Sequence, residues 1–341
     1  MQVIETHTAD QAWRSVVQAF RDVSNLVADS RSGPTRELLH AQLVINDPRQ
    51  RWVVSRDPPL NPAFAIVETI WVLAGREDSA FLTPWNSQLN KYSGSGDTFC
   101  GAYGRRLRSR FGFDQLDRAY EGLKENPSSR QFVLQIWDPQ TDFPCSDGQP
   151  RNFDIPCNVC ALLKIRRNKL EWLQVLRSND VFLGLPYDIV QFTTIQEVLA
   201  GWLDVDIGSY AHLSDSLHIY ERDLARVMNS SRSSCPHNDD VLAIPKKRFD
   251  ELLPRLCDAI VELADPTLTD SAGLGIVESL ELPRAYRNLL LVIAAESARR
   301  RQSVGGIEAA IGHCQNPLLV TLWENWVRRC TKTAPQMAGA D

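Results

Sequence analysis

Two strand-like runs separated by a two-residue turn are the feature that most limits how this chain folds. Residues 159–165 and 170–176 are both rich in apolar side chains, and Arg167-Asn168 lies between them. The turn-like Arg167-Asn168 therefore joins two predicted strands that follow each other along the chain. Further strand-like runs over residues 39–45, 131–137 and 205–216 add to these predicted strands.

Helical patterns lie on both sides of this sheet region. Predicted helices cover residues 13–30, 64–73, 188–203, 249–263, 282–301 and 318–329. The mixture of strands and helices predicts an α+β domain over residues 1–245. The helical character after residue 246 predicts an extension over residues 246–341, ending in a small, polar tail that we expect to be disordered from residue 332.

Charge and cysteine usage exclude several classes of protein. The formal net charge of the 341-residue chain is −5, which argues against a protein that binds long nucleic acid. A few convergent arginines still suffice to bind one small phosphate. The chain starts without a signal-like segment, and its longest apolar run, 289–295, is too short for a membrane span. Its eight cysteines lack a disulfide-like rhythm, so we expect a cytoplasmic protein with reduced thiols.

Cys157 is the candidate nucleophile. It follows Pro156 at the start of a predicted strand, and Arg177 ends the neighbouring strand-like run. A nearby arginine lowers a thiol pKa and binds phosphate. Considered alone, Cys157 also fits a small core residue, and Arg177 fits an ion pair at the surface. Cys157 and Cys160 form a single CxxC pair without a second metal-binding pair at finger spacing, so no zinc site is expected.

Several short motifs follow Cys157 in a specific order. They are Arg177-Ser178-Asn179-Asp180, Leu183-Gly184-Leu185-Pro186-Tyr187 and His218-Ile219-Tyr220. Together with Pro156-Cys157 they resemble the thymidylate synthase superfamily, and the similarity covers roughly residues 10–222. Matching residues upstream are Arg31, Glu68, Trp85, Tyr103-Gly104 and Arg130. The resemblance implies a thymidylate synthase-like mixed sheet flanked by helices.

The resemblance also implies a reaction. The thiolate of Cys157 would add to C6 of a pyrimidine nucleoside monophosphate, and C5 would then attack the one-carbon unit of 5,10-methylenetetrahydrofolate. Glu68 and Tyr103 would manage protons and ordered water, without a metal. The implied phosphate ligands are Arg31, Arg177, Ser178 and, in a homodimer, the partner's Arg130. His218 and Tyr220 would bind the sugar, and Trp85, Asp180, Leu183, Gly184 and Tyr187 would line the folate side.

Asp188 departs from the family pattern, which has asparagine at this base-reading position. An acidic residue also suits the first turn of a helix without any ligand. A neutral carboxylic acid donates to N3 of cytosine and accepts from its N4 amino group, whereas a carboxylate would face O4 of uracil with no proton between them. Asp188 therefore predicts a cytidylate, CMP or dCMP. Asn158, where synthases usually have histidine, is a second departure near the base.

The predicted reaction is 5-hydroxymethylation, in which water captures the methylene intermediate and Glu68 holds that water. In synthases, a short apolar tail at the C-terminus shields the intermediate. This chain ends instead in the small and polar residues QMAGAD at positions 336–341. Two alternatives remain. One is a thymidylate synthase-like methylase of dUMP or UMP, and the other is a non-catalytic binding protein derived from a synthase. CMP would suit nucleoside-antibiotic biosynthesis, and dCMP would suit a modified-DNA pathway.

Overall fold

The structure of the chain, a computed structural model, describes residues 2–22, 26–30, 33–89, 94, 96–152, 154–228 and 235–333. These residues form seven strands: β1 (Gln2–Thr6), β2 (Leu26–Ser30), β3 (Gly33–Ile45), β4 (Val133–Gln135), β5 (Asn158–Arg166), β6 (Lys169–Asp180) and β7 (Asp206–Tyr220). They also form twelve helices: α1 (Ala9–Asp22), α2 (Pro62–Leu73), α3 (Tyr103–Arg108), α4 (Gln115–Glu125), α5 (Pro139–Asp142), α6 (Leu185–Leu203), α7 (Glu221–Met228), α8 (Lys246–Leu263), α9 (Asp270–Glu278), α10 (Arg284–Arg300), α11 (Val304–Gly312) and α12 (Pro317–Thr333).

All seven strands belong to one mixed sheet. Its order is β1-β3-β7-β6-β5-β4, and β2 also pairs with β3. Strand β6 runs parallel to β7 and antiparallel to β5. The sheet with helices around it confirms the predicted thymidylate synthase-like α+β fold.

The two predicted strands joined at Arg167-Asn168 are β5 and β6, which pair antiparallel as a hairpin. Arg166 faces Lys169 across a two-residue turn. Arg167 and Asn168 have φ angles of 52° and 58°, the left-handed values that a tight hairpin turn requires. This turn therefore sets the register of the two strands that carry Cys157 and Arg177 at their other end.

Helices α2 and α6 are buried on almost all sides, so both lie inside the domain. Asn61 caps α2, because its Oδ1 accepts a hydrogen bond of 3.1 Å from the backbone N–H of Phe64. Helices α8 and α10 contact α2, so residues of the C-terminal extension pack into the same apolar core as the sheet. The division of the chain near residue 245 stays a prediction.

Two local predictions were wrong. The first helix ends at Asp22 rather than near Ser30, and β1 precedes it. The valines after residue 22 continue the helical spacing, but β2 pairs with β3, from Leu26 opposite Glu37 to Ser30 opposite Gly33. Strand pairing therefore prevails over the local helical pattern. Helix α12 continues to Thr333, two residues into the tail expected to be disordered, and residues 334–341 lie outside the described part.

Candidate active site

One end of the sheet collects the predicted site residues. Cys157 immediately precedes β5, and its carbonyl oxygen accepts a hydrogen bond of 2.9 Å from the backbone N–H of Arg177 in β6. Because β6 and β7 are parallel, their ends also lie side by side, with Asp180 opposite His218. Strand direction thus brings together Cys157 and His218, which are 61 positions apart in the chain.

A cleft of about 1150 Å³ opens at this end of the sheet. A volume of this size exceeds what one small ligand needs, so two substrates fit side by side. Thirteen of the predicted site residues line it: Glu68, Trp85, Tyr103, Cys157, Arg177, Ser178, Asp180, Leu183, Gly184, Tyr187, Asp188, His218 and Tyr220.

Three predicted residues do not line the cleft. Asn158 is fully buried behind the cleft wall. Arg130 is exposed at the surface, away from the cleft of its own chain. Arg31 lies outside the described residues.

The thiol of Cys157 is protonated in this structure at neutral pH. Burial raises the pKa of Cys157, Arg177 lowers it, and the carboxyl groups of Asp188, Asp154 and Asp180 raise it. Of these effects on the pKa of Cys157, only that of Arg177 was predicted from the sequence. That arginine also binds the backbone around the nucleophile, because its Nε donates to the carbonyl of Pro156 at 2.9 Å.

Asp188 sits in the first turn of α6 and is only 8% exposed. Its Oδ1 accepts a hydrogen bond of 3.1 Å from Asn158 Nδ2, and its Oδ2 accepts one of 3.1 Å from Asn179 Nδ2. Burial raises the pKa of Asp188 to about 7, and these two hydrogen bonds oppose that rise. The acid form of Asp188 is therefore well populated near neutral pH.

Each of the two amides is oriented by a further buried group. The amide of Gln174 donates to Asn158 Oδ1 at 2.9 Å. Asn179 Nδ2 lies 2.9 Å from Nε2 of His212, whose Nδ1 lies 2.9 Å from the hydroxyl of Tyr210. Burial lowers the pKa of His212 to about 3, so this imidazole is neutral and accepts from the amide. The carboxyl group is thus held by a chain of buried polar groups.

Glu68 is a second carboxyl group close to Asp188. It projects from α2 into the cleft. Burial and the neighbouring Asp188 raise the pKa of Glu68 to about 8, against a hydrogen bond with Gln191. At neutral pH Glu68 is therefore mostly protonated, a state in which it both donates to and accepts from water.

Tyr103 starts α3 and faces the same region. Burial raises the pKa of its hydroxyl well above the usual value, with smaller contributions from Asp188 and Cys157 and an opposing hydrogen bond with Asn158. Gly104, the next residue, allows α3 to approach α2 closely, because a Cβ there would lie 2.8 Å from the carbonyl oxygen of Val72. The phenol is therefore neutral and is held near Cys157.

The side assigned to the sugar and phosphate contains Ser178, His218 and Tyr220. Ser178 Oγ lies 3.4 Å from Nδ1 of His218. The rings of His218 and Tyr220 are perpendicular, with centroids 5.5 Å apart. These contacts link the ends of β6 and β7 at the rim of the cleft.

The side assigned to folate is built around Asp180. Its Oδ1 accepts hydrogen bonds from the backbone N–H groups of Phe182 and Leu183 at 2.6 and 2.9 Å. Its Oδ2 is buried without a hydrogen-bond partner among the described residues, and so is Nε1 of Trp85. Unpaired buried polar atoms in a cleft are costly unless a ligand pairs with them. Tyr187 completes this side, and its hydroxyl accepts from the backbone N–H of Asn61 at 3.0 Å.

Two groups stand out among the lining residues that the sequence did not predict. Asn179 and Gln191 lie in or beside predicted motifs, and their polar side chains in buried elements were the available signal. The other group comes from the C-terminal extension and consists of Glu296, Arg299, Arg300, Trp326 and Arg329. No local pattern indicated that α10 and α12 return to the cleft.

In the described part of the chain, no cluster of three or more His, Cys, Asp or Glu side chains is arranged to hold a metal ion. No helix among the described residues is long and apolar enough to cross a membrane.

A family model described as thymidylate synthase matches residues 51–253, which is more than half of the chain. The chain therefore belongs to the thymidylate synthase family, as the motif order predicts. This family uses 5,10-methylenetetrahydrofolate as co-substrate. The unpaired polar atoms of Asp180 and Trp85 fit a polar second ligand on that side of the cleft.

Individual relatives add detail. The chain is 35% identical over 196 residues to the deoxyuridylate hydroxymethyltransferase of Bacillus phage SP01, covering 54% of this chain and 50% of the phage protein. It is 32% identical over 230 residues to a protein of the same name from Pseudomonas phage M6, covering 67% of this chain and 64% of the phage protein. It is 27% identical over 189 residues to the thymidylate synthase of Francisella philomiragia, covering 53% of this chain and 69% of the bacterial protein. The match thus spans half to just under two thirds of the length of the two phage relatives.

Proposed function

We propose that this protein is a cytidylate 5-hydroxymethylase that acts on CMP or dCMP with 5,10-methylenetetrahydrofolate. The observation that carries the proposal is the buried carboxyl group of Asp188, whose pKa is about 7 and which two amides hold at the cleft. Its acid form offers both a donor for N3 and an acceptor for the N4 amino group of cytosine. Against uracil, the ionised form of Asp188 leaves a mismatch at O4 that costs about 1–3 kcal/mol, or roughly tenfold to hundredfold in discrimination.

In the proposed reaction, Sγ of Cys157 bonds to C6 of the pyrimidine, and C5 bonds to the one-carbon unit while the bond from that unit to folate N10 breaks. Loss of the C5 proton, with cleavage of the remaining bond to folate N5, leaves an exocyclic methylene group on the base and releases tetrahydrofolate. Water adds to that methylene, and the bond from Cys157 to C6 breaks. The products are the 5-hydroxymethylcytidylate and tetrahydrofolate, so nothing is oxidised or reduced.

The other cleft residues have supporting roles in the proposal. Glu68, protonated near neutral pH, holds the water that adds to the methylene. Tyr103 handles the proton near C5. Arg177 and Ser178 bind the phosphate together with Arg31, and His218 and Tyr220 bind the 3′-hydroxyl. Asn158 is a positioning residue, because its side chain contacts Asp188 rather than the cleft.

The test is a panel assay. The protein is incubated with 5,10-methylenetetrahydrofolate and, separately, CMP, dCMP, UMP and dUMP, and the products are identified by mass spectrometry. We expect a product heavier by one CH2O unit with CMP or dCMP and no dihydrofolate in the absorbance trace. Dihydrofolate formed with dUMP would instead establish the methylase alternative, and no product with any nucleotide would favour the non-catalytic one.

A second candidate is a deoxyuridylate hydroxymethylase. The names of the two phage relatives favour it, whereas Asp188 favours a cytidylate. The same panel separates the two, because hydroxymethylation of dUMP in preference to dCMP would support this candidate.

The proposal includes a homodimer in which Arg130 reaches the partner's phosphate site. The exposure of Arg130 away from its own cleft is compatible with such a role. The test mixes two inactive variants, Arg130→Ala and Cys157→Ala, under conditions of subunit exchange. Recovery of about a quarter of the wild-type activity is expected, because one site in the mixed dimer is intact. Failure to recover activity in a demonstrated mixed dimer would contradict the shared site.

A further inference from the structure

The buried network behind Asp188 begins at a tryptophan. Nε1 of Trp172 donates a hydrogen bond of 3.0 Å to Oε1 of Gln174, and both side chains are buried on one face of β6. Gln174 Nε2 donates to Asn158 Oδ1 at 2.9 Å. Asn158 Nδ2 then donates to Asp188 Oδ1 at 3.1 Å. We call this series of hydrogen bonds, from Trp172 through Gln174 and Asn158, the tryptophan relay.

The first member of the tryptophan relay fixes its direction. An indole N–H donates and cannot accept, whereas a side-chain amide donates at its nitrogen and accepts at its oxygen. Trp172 therefore holds the oxygen of Gln174 toward itself, which leaves Gln174 only its NH2 group to offer to Asn158. Asn158 in turn has only its NH2 group to offer to Asp188. Reversal of either amide would place two donors or two acceptors against each other.

A second series of hydrogen bonds, the tyrosine relay, reaches the other carboxyl oxygen of Asp188. Asn179 Nδ2 lies 3.1 Å from Asp188 Oδ2 and 2.9 Å from Nε2 of His212. Nδ1 of His212 lies 2.9 Å from the hydroxyl of Tyr210. A tyrosine hydroxyl both donates and accepts, and a neutral imidazole carries its proton on either nitrogen. Tyr210 therefore does not fix the direction of its relay as Trp172 does.

The direction of the tryptophan relay decides where the acid form of Asp188 can place its proton. A buried carboxylic acid donates to a nearby acceptor, and the carbonyl oxygen of Asn158 would be one if the amide were reversed. Because Asn158 presents its NH2 group instead, its amide cannot take up this proton. Asp188 lines the cleft, so the proton stays available for an acceptor on a ligand, such as N3 of cytosine.

We propose that Trp172 and Gln174 are positioning residues that set the preference of the site for cytosine over uracil. Neither residue lines the cleft, and both act through Asn158, whose amide they hold as a donor to Asp188. The inference rests on the proposed function for the identity of the base. It extends base recognition from Asp188 to two buried residues in the middle of β6, outside the motifs that carry the family resemblance.

The test removes the indole N–H. Trp172→Phe leaves Gln174 without the donor that fixes its direction, so Asn158 can turn its carbonyl toward Asp188 and accept the proton. Calorimetric titration measures the affinity of the full chain for CMP and, separately, for UMP. We expect the affinity for CMP to fall by about tenfold, the equivalent of one hydrogen bond, and that for UMP to change by less than about twofold. A general loss of packing would instead weaken the binding of both nucleotides.

Trp202→Phe is the matched control, because it makes the same exchange at another buried tryptophan whose Nε1 has no hydrogen-bond partner among the described residues. It should leave the ratio of the two affinities unchanged. Tyr210→Phe removes the end of the tyrosine relay and should change this ratio by less than about threefold, since that relay has no fixed direction.

Gln174→Met is the second variant of the tryptophan relay. It keeps the length of the side chain but removes the amide, so it releases Asn158 without altering Trp172. This variant should reproduce the selective loss of CMP binding. Melting temperatures establish that each variant is folded, and if Trp172→Phe does not fold, the comparison of Gln174→Met with Trp202→Phe decides the test.

Several results would overturn the inference. Equal losses for CMP and UMP in Trp172→Phe would assign this residue a structural role only. An equal change of the ratio in Tyr210→Phe or Trp202→Phe would show that the direction of the tryptophan relay is not the cause. If the wild type prefers CMP and the ratio is the same in Trp172→Phe and Gln174→Met, the proposed function stands and the relay fails. If the wild type binds UMP more tightly than CMP, the proposed function fails, and a selective change of the ratio in these two variants alone still supports the relay.

Discussion

Asn158 Nδ2 donates a hydrogen bond of 3.1 Å to Oδ1 of Asp188, so the residue next to the candidate nucleophile also holds the carboxyl group that we assign to the base. Asn158 starts β5 and Asp188 lies in the first turn of α6. This bond couples the position of Cys157 to that of the base-reading group. The two departures of this chain from the family pattern therefore act as one unit.

Exchange of the carboxyl group for an amide tests base recognition. Asp188→Asn should lower kcat/KM for the cytidylate by about tenfold to hundredfold and raise it for the uridylate, because the amide donates where the uracil O4 accepts. Steady-state kinetics with both nucleotides measure the change in preference. Asp215→Asn, the same exchange at a position that is 61% exposed, is the control. An unchanged preference in Asp188→Asn would refute the assignment.

The affinity for CMP should depend on pH. Burial raises the pKa of Asp188 to about 7, so its acid form predominates below that pH and is lost above it. Because the acid form donates to N3 of cytosine, binding of CMP should weaken as pH rises through about 7. Calorimetric titration between pH 5.5 and 8.5, about 1.5 units to either side, covers this transition. A binding constant that stays flat or strengthens across this range would contradict the prediction.

Alkylation of Cys157 should be slow at neutral pH. Burial and three carboxyl groups outweigh Arg177 and raise the pKa of its thiol, and the thiolate is the reactive form. Iodoacetamide labelling followed by peptide mass spectrometry should show slower labelling of Cys157 than of the exposed Cys145. The rate of labelling at Cys157 should still increase when the pH rises above 9, which is the ordinary pKa of a cysteine thiol. Labelling of Cys157 that is complete before that of Cys145 at neutral pH would contradict this.

A methyl group at Gly104 should destabilise the fold. Its Cβ would lie 2.8 Å from the carbonyl oxygen of Val72 and 2.9 Å from the Cα of Val72, so backbone must shift. Gly104→Ala should lower the free energy of unfolding by about 1–3 kcal/mol in urea denaturation. Gly275→Ala is the matched control, because nothing lies within 4 Å of that Cβ in α9, and it should stabilise by about 0.4–1 kcal/mol. Equal stabilities of the two variants would show that α3 tolerates a greater distance from α2.

Much of the site could be predicted because its residues occur in short motifs at the ends of predicted strands. The turn at Arg167-Asn168 indicated the boundary between β5 and β6, and the motif order indicated the family. The end of α1 could not be predicted in this way, since β2 depends on pairing with β3 and not on its own residues. The same holds for the role of Asn158, which depends on a contact with Asp188, 30 positions away.

The sequence by itself determined the motif residues, the family and the presence of a carboxyl group where the family pattern has an amide. Only the tertiary structure decided the protonation state of that group, because burial and the amides of Asn158 and Asn179 set the pKa of Asp188. It also decided that Arg300 and Arg329 face the cleft beside Trp85 and Arg56. These properties depend on packing between distant segments, and local spacing carries no information about which helices return to a site.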